Sequence, residues 1–420
     1  MARVLVIGGG GREHALAWCL AQEGRHELFC APGNAGTAAV ATNVPLDGSD
    51  PASLSRWARR EAIELTIVGP EGPLAAGLVD HFQRENLNVF GPRQAAARLE
   101  SSKLFARRFM GELGIPQPAY RPANSAAATR RAVAELGLPV VLKADGLAAG
   151  KGVLMCATGG QVDAAINTFF ERRAFGAAGL DLSVEECLVG IEMSVFAICD
   201  GHHATIMGTA QDYKRAFDGD RGPNTGGMGA VAPSPLATDE LMGEIDRTVF
   251  EPALAGMAAR GTPYVGFLYA GLMIVAGRPW VIEFNVRLGD PETQVVLPLL
   301  DVPLYTLIGQ ALSGELQPSI SVRPGAAACV VVAAEGYPGP YSNGTPIGGL
   351  DQLEDGLLVF HAGTSNNGQG VLVSSGGRVL SLVALAKDLP AAVARVYANL
   401  PRIDYPGSFY RSDIGQFNVK

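Results

Sequence analysis

Short apolar runs alternate with amphipathic stretches along the first hundred residues. The runs predict strands over 3–7, 28–31, 65–68 and 88–90, and the amphipathic stretches predict helices over 14–23, 53–62 and 74–85. Strands separated by helical patterns make an open parallel sheet with helices on its faces. Beyond Gly91-Pro92, Ser101 and Ser102 are N-cap candidates for a helix over 103–113. A helix over 126–136 leads into strands over 140–143 and 153–156, which a glycine-rich turn joins as a hairpin. A helix over 161–172 follows, then strands near Leu188 and over 193–199. Residues 211–229 carry no period and read as a long segment poor in secondary structure. A long helix over 239–260 precedes strands over 267–274 and 280–284. After a loose stretch over 313–325 come strands over 328–333, 371–374 and 379–386, and a last helix over 391–400. The pattern is α/β at the start and α+β beyond it, in a multidomain chain.

Composition narrows the class. Of 420 residues 53 are glycine and 27 proline, yet 48% are hydrophobic, so the chain has material for several cores and is neither disordered nor collagen-like. A net charge of −8 argues against a dedicated nucleic-acid binder. The longest uncharged apolar run, 265–277, falls short of the ~20 residues that span a bilayer. The N-terminus runs straight into a strand and glycines, unlike a signal peptide. The six cysteines stand far apart with no CxxC, which predicts buried free thiols in a reducing compartment and a cytoplasmic protein that engages neither membrane nor nucleic acid.

The glycines cluster where chemistry is expected. Gly8-Gly9-Gly10-Gly11 ends a strand and opens a helix, a turn in which backbone N–H groups can approach an anion. It is not the dinucleotide fingerprint, because Glu13 stands at the last glycine position and the second strand ends at Ala31, with no acid for a ribose. Gly146, Gly150 and Gly152, with Lys143 ahead of them and Lys151 among them, form a strand–loop–strand hairpin suited to a lid over phosphates. They fail the P-loop template in spacing and in the missing hydroxyl residue. Glu283, Asn285 and Arg287 fall on one face by period two, and a carboxylate with an amide oxygen makes a hard-ligand pair suited to Mg2+.

Taken in order, Lys103, the Lys143 hairpin, the acidic strand at 185–192 and Glu-x-Asn-x-Arg at 283–287 resemble the ATP-grasp ligases. The strings GGREHA, PGNAGT, VGPE, LKADGLAAGKGV, QDYKR, GPNTGGMGA, GFLYAGLM and EFNVRLGDPETQ resemble, more narrowly, the phosphoribosylamine–glycine ligases of purine biosynthesis. The resemblance implies an N-terminal substrate-side domain over 1–100, an ATP-grasp domain over 101–312 with a lid over about 120–190, and a mainly β C-terminal domain over 325–420. It implies ATP, glycine and 5-phosphoribosylamine as substrates, Mg2+ or Mn2+ as the metal, a monomer, and transient contact with neighbouring purine-pathway enzymes. Lys103 and Lys143 would hold the α/β-phosphates, and Gly150, Lys151 and Gly152 would close over them. Glu185 and Leu188 would present main-chain groups to adenine and Glu192 would take the ribose hydroxyls. Glu283 and Asn285 match metal ligands, and Arg287 the arginine that would stabilise the acyl phosphate. Gly10, Gly11, Arg12, Glu13, Glu71 and Asp290 would lie on the ribosylamine side, with Asp212 and Lys214 near glycine.

Three positions depart from the family pattern. Ile191 replaces a frequent Glu, Tyr213 a frequent His and Val231 a frequent Tyr. The alternatives are another ATP-grasp ligase of purine ribonucleotide synthesis and a non-catalytic nucleotide-binding protein of the same fold. The QDYKR and GPNTGGMGA segments weigh against the first, and the retention of Lys143, Glu283, Asn285 and Arg287 against the second.

Overall fold

The computed structural model describes residues 1–147 and 152–416. Its N-terminal sheet has five strands in the order Thr42–Asn43, His26–Pro32, Ala2–Gly8, Leu65–Val68 and Val89–Phe90. All four pairings are parallel. Val4, Leu5, Val6 and Ile7 are all fully buried, as a strand covered on both faces requires. The chain leaves Ala2–Gly8 toward one edge and returns to its other side at Leu65–Val68. The carboxyl end of Ala2–Gly8 is therefore the switch point at which such sheets open a crevice. The four-glycine turn sits there.

Some boundaries differ from those the pattern predicts. The first helix begins at Gly11, because Gly10 caps it and the Glu13 carboxylate accepts the Gly10 N–H at 2.7 Å. The helix expected over 74–85 is two, Glu71–Ala75 and Leu78–Arg84, parted at Gly77, whose φ of 85° is left-handed. A helix the pattern did not reveal, Gln94–Ser101, precedes Lys103–Leu113, whose N-cap is Ser102. The long helix keeps one course through Asp239–Ile245, Asp246–Phe250 and Glu251–Ala259. Its middle segment widens to a π turn just ahead of Pro252, which lacks the N–H that an α turn would need.

Two larger antiparallel sheets and two short hairpins, Arg215–Phe217 with Arg221–Asn224 and Thr364–Asn366 with Leu372–Ser374, make the rest. The smaller of the two sheets has the order Tyr120–Ala123, Leu182–Glu186, Val140–Ala144 and Val153–Cys156, with the helices Ala126–Leu136 and Gly159–Ile166 packed on it. The larger begins at Arg278–Asn285 and passes through Val265–Val275, Ile191–Asp200, Ala204–Asp212 and Gly229–Ala232. It continues into Ala326–Ala334, Arg378–Ala386 and Leu358–His361, with Ser408–Phe409 paired at the side. The C-terminal strands thus extend the central sheet through the pairing of Gly229–Ala232 with Ala326–Ala334.

Residues 211–229 correct the sequence reading. They hold the end of Ala204–Asp212, a hairpin of Arg215–Phe217 with Arg221–Asn224, and the start of Gly229–Ala232. The hairpin strands are too short and polar to give a periodic signal and are fixed by pairing with each other, whereas Gly229–Ala232 is fixed by its neighbours in the larger sheet. Leu188 lies just past Leu182–Glu186, outside any strand. Tyr213 and Val231, two of the three departures, are buried in the C-terminal core. The Tyr213 hydroxyl accepts the Gly415 N–H at 3.0 Å and Arg411 stacks on its ring. Both positions are packing sites. All six cysteines are free, four of them buried, with Cys19 and Cys187 half-buried. Among the described residues no helix is long and apolar enough to cross a membrane.

Candidate active site

The glycine turn is built for close approach. A Cβ on Gly9 would lie 2.5 Å from the Gly33 carbonyl oxygen, so the turn and the Gly33-Asn34 corner can meet only through glycine. Asn34 locks them: its amide donates to Gly9 O at 2.9 Å and to His361 O at 2.7 Å. Together with Asp290, Arg378 and the loops at 363–364 and 375–376, these residues line a cavity of about 390 Å3. The C-terminal sheet thus supplies one wall and the N-terminal turn the other. Arg12 and Glu13 are turned inward. Arg12 donates to Glu13 at 2.6 Å and to Leu288 O at 3.1 Å, so both side chains are occupied in holding the turn, while Gly10 and Gly11 border the Asp290 carboxylate. Arg378 reaches Asp290 at 3.3 Å and donates to its carbonyl at 2.6 Å, and burial of Asp290 is outweighed by Arg378 and Arg12, which keep its carboxyl below the usual range.

A second cluster lies where the small sheet meets the strand Arg278–Asn285. Ser102 and the Leu104 N–H both donate to Asp145, pinning the N-terminus of the Lys103 helix to the hairpin. Lys103 stands 3.9 Å from Glu283. Burial would raise the Glu283 carboxyl, but Lys103, Lys214, Lys143 and Arg287 around it hold it at about 2. Asn285 is 7% exposed on the same strand. Lys143 bonds Glu185 at 2.8 Å, and Glu185, against the effect of its burial, is held at about 2 by Lys143 and Arg107. Glu185 has strands on both flanks, paired with Tyr120 and Val141, so its carboxylate is the part that faces this cluster. Leu188 is half-buried in the link to Ile191–Asp200. Gly152 closes the hairpin, its carbonyl accepting from Ala144 N at 2.9 Å. Gly150 and Lys151 lie outside the described residues.

Arg287 joins the two clusters. It reaches Glu71 of the N-terminal unit at 3.2 Å and Glu100 at 3.0 Å, and Glu100 also accepts the Val286 N–H at 2.7 Å. Beside it, Lys214 bonds Glu192 at 2.8 Å and lies 3.6 Å from Asp212. Burial first, then Glu292 and Glu192, push the Asp212 carboxyl up to about 7 despite Lys214. Glu292 is buried and raised for the same reason. Gly10, Gly11, Arg12, Glu13, Glu71, Asp290, Arg287, Lys103, Lys143, Glu185, Glu283, Lys214, Asp212 and Glu192 are thus linked through these contacts, whereas among the described residues no such contact ties Leu188 to them.

Five more belong to this site: Asn34, Glu100, Arg107, Glu292 and Arg378. Asn34 and Glu292 stood inside quoted strings, and Arg107 follows Lys103 by one helical turn. Glu100 and Arg378 carry no local signal. Among the described residues no group of three or more His, Cys, Asp or Glu side chains could hold a metal by itself. Glu283 and Asn285 stand two residues apart on the strand Arg278–Asn285, and a carboxylate and an amide oxygen are ligand types that suit Mg2+.

Comparison with known proteins gives the family. The phosphoribosylglycinamide synthetase N domain matches residues 2–100, its ATP-grasp (A) domain residues 101–293 and its C domain residues 327–417. The phosphoribosylamine–glycine ligase of Mesorhizobium japonicum is 48% identical over 98% of this chain and 97% of its own. That of Nostoc sp. is 47% identical over 98% and 99%. The crystal structure of phosphoribosylamine–glycine ligase from Thermotoga maritima superposes with a TM-score of 0.86 at 35% identity, covering 98% of this chain and all of that one (100%). A biotin carboxylase domain from Hydrogenobacter thermophilus, at 18% identity and a TM-score of 0.74, shares the fold alone. With its three domain models matched in sequence and its relatives aligned end to end, the chain belongs to the phosphoribosylglycinamide synthetase, or phosphoribosylamine–glycine ligase, family of the ATP-grasp fold.

Proposed function

We propose that this chain ligates glycine to 5-phosphoribosylamine at the expense of ATP, through glycyl phosphate, releasing ADP and phosphate. The observation that carries the reading is the position of Arg287. It bridges Glu100, beside the Lys103–Lys143–Glu283 cluster, to Glu71, beside the glycine-turn cavity. A phosphate-handling cluster and a polar cavity share one cationic side chain, as a transfer between two substrates requires.

The first step forms a bond between a glycine carboxylate oxygen and the γ-phosphorus and breaks the bond to ADP. Such a transfer depends on positioning and on neutralising charge, so lysines and arginine outrank a general base. Lys103 and Lys143 hold the phosphates; adenine lies against the link that contains Leu188, and Glu192 takes the ribose. Glu283 and Asn285 would hold Mg2+ or Mn2+, which would supply charge neutralisation for the phosphates. The buried carboxylates Asp212 and Glu292 receive the glycine ammonium. In the second step the ribosylamine nitrogen attacks the glycyl carbonyl and phosphate leaves, with Arg287 placed to stabilise the oxyanion. The phosphoribosyl group occupies the 390 Å3 cavity, its phosphate against the backbone of Gly9-Gly10 and Arg378.

ADP release measured with glycine, Mg2+ and freshly generated 5-phosphoribosylamine tests this reading. Turnover that needs all three supports it, and ATP hydrolysis indifferent to glycine refutes it.

A further inference from the structure

Arg107 has no place in the proposed chemistry, yet it is the most thoroughly bonded side chain in the nucleotide cluster. It stands one turn beyond Lys103 on the helix Lys103–Leu113 and is 2% exposed. All five of its N–H donors have acceptors. Nε donates to Glu185 Oε1 at 2.9 Å, and Nη2 donates to Glu185 Oε2 at 2.6 Å and to the Ile282 carbonyl. Nη1 donates to the Val281 carbonyl at 2.9 Å and to Gln117 Oε1 at 3.4 Å.

Glu185 is equally complete. Its Oε1 also accepts from Ser183 at 2.8 Å, and its Oε2 also accepts from Lys143 at 2.8 Å. Four acceptor sites meet four donors. Among the described residues Lys143 is the member left open: Nζ donates to Glu185 and, at 3.2 Å, to the Ile282 carbonyl, so two of its three donors are placed.

The charges show the same incompleteness. Arg107 and Lys143 bring two positive charges and Glu185 one negative, all with side chains no more than 5% exposed. Lys103 and Glu283 balance each other nearby at 3.9 Å. A buried surplus of one positive charge is costly unless an anion offsets it. The remaining Lys143 proton and the surplus charge call for the same ligand, an anionic oxygen.

We propose that Arg107 is a positioning residue for nucleotide binding: by saturating Glu185 and tying it to the carbonyls just ahead of Glu283, it keeps the Lys143 charge uncancelled and free for phosphate. Without Arg107, Glu185 and Lys143 would close as a neutral pair, and the positive charge meant for phosphate would be lost. Arg107 itself touches no substrate. The inference rests on the nucleotide side of the proposed function and is independent of glycine and ribosylamine.

Calorimetric titration with ATP and Mg2+, in the absence of the other substrates, tests it. Arg107→Met is expected to weaken ATP binding by roughly 10- to 100-fold, the range for losing a charge-assisted bond. The decisive variant is the double one. Arg107→Met with Glu185→Gln restores the surplus charge on Lys143, so it should bind ATP more tightly than Arg107→Met alone. A packing role would make it the weaker binder, since one more bond is gone. The inference is overturned by an Arg107→Met affinity within about twofold of wild type, or by a double variant no tighter than the single. Should Arg107→Met fail to fold, Arg107→Lys and Arg107→Gln give the same contrast of charge kept and charge removed, and equal ATP affinities would refute it. A wild-type chain that binds ATP but releases no ADP with all substrates present sinks the proposed ligation and leaves this inference standing.

Discussion

Acidification should loosen the C-terminal wall of the substrate cavity. His14, on the helix that follows the glycine turn, is 6% exposed and packs edge-on against Phe360. Its Nδ1 accepts the His361 N–H at 2.8 Å, so in the folded chain the proton is on Nε2 and the ring is neutral. Burial, then the neighbouring His361, lowers the His14 pKa to about 3, and burial lowers His361 to about 4. Both rings are neutral folded and unfolded above the unfolded value of about 6.5, so the junction is at full strength there. As pH falls from there the unfolded chain takes up protons that the folded one refuses, and stability is lost down toward the folded values. At pH 5 the gap for each ring is about 1.5 pH units, or about 2 kcal/mol each and about 4 kcal/mol for the pair. Against the ~5–15 kcal/mol that holds a typical domain, this is a large share.

A multidomain chain need not unfold in one step, so the local opening energy is the quantity to measure. Amide exchange on Leu358–His361, corrected for intrinsic rates, should show wild type losing about 4 kcal/mol between pH 7 and pH 5. The His14→Gln, His361→Gln double variant should lose far less. Equal pH dependence in the two proteins, or a His14 resonance titrating near its ordinary value, would refute the reasoning.

Other expectations concern the chemistry. Glu283→Ala removes the carboxylate that four cations surround; turnover should fall beyond detection and Mn2+ binding, read by electron paramagnetic resonance, should vanish while circular dichroism is unchanged. Arg287→Met should lower kcat by about 10²- to 10³-fold, the scale for losing an oxyanion donor, and a loss under threefold in a steady-state assay would remove Arg287 from the chemistry. Arg378→Ala should raise the KM for ribosylamine and leave ATP affinity, measured by titration, unchanged. With Asp212 near 7, its carboxylate is ionised above that pH and neutral below. The KM for glycine should therefore rise as pH falls through 7, and Asp212→Asn should abolish that break.

The N-terminal sheet was legible because its strands are buried on both faces and stand out as apolar runs, Val4 to Ile7 foremost. The Lys143 hairpin and the Glu283 strand were legible through local residue order, which a short motif carries whole. The segment 211–229 was not. Arg215–Phe217 and Arg221–Asn224 are too short and polar to show a period and exist as partners of each other. Gly229–Ala232 exists because Ala204–Asp212 and Ala326–Ala334 offer it backbone partners on either side. Tyr213 and Val231 stood out in line only as departures from the family pattern, and the fold packs both side chains into the C-terminal core.

By itself the sequence determined which side chains carry charge, which loops can bend through glycine, and which string of motifs marks the family. Tertiary structure alone decided how those charges are paired. Arg107 and Glu185 are 78 residues apart, Arg287 and Glu71 216, and Asn34 and His361 327. No local pattern can announce a bond between positions so distant. Whether a buried carboxylate acts as a ligand, a partner or a brace depends on which cations the fold brings to it. That is why Glu185 became the counter-charge of Lys143, and Arg12 and Glu13 the inner frame of the glycine turn.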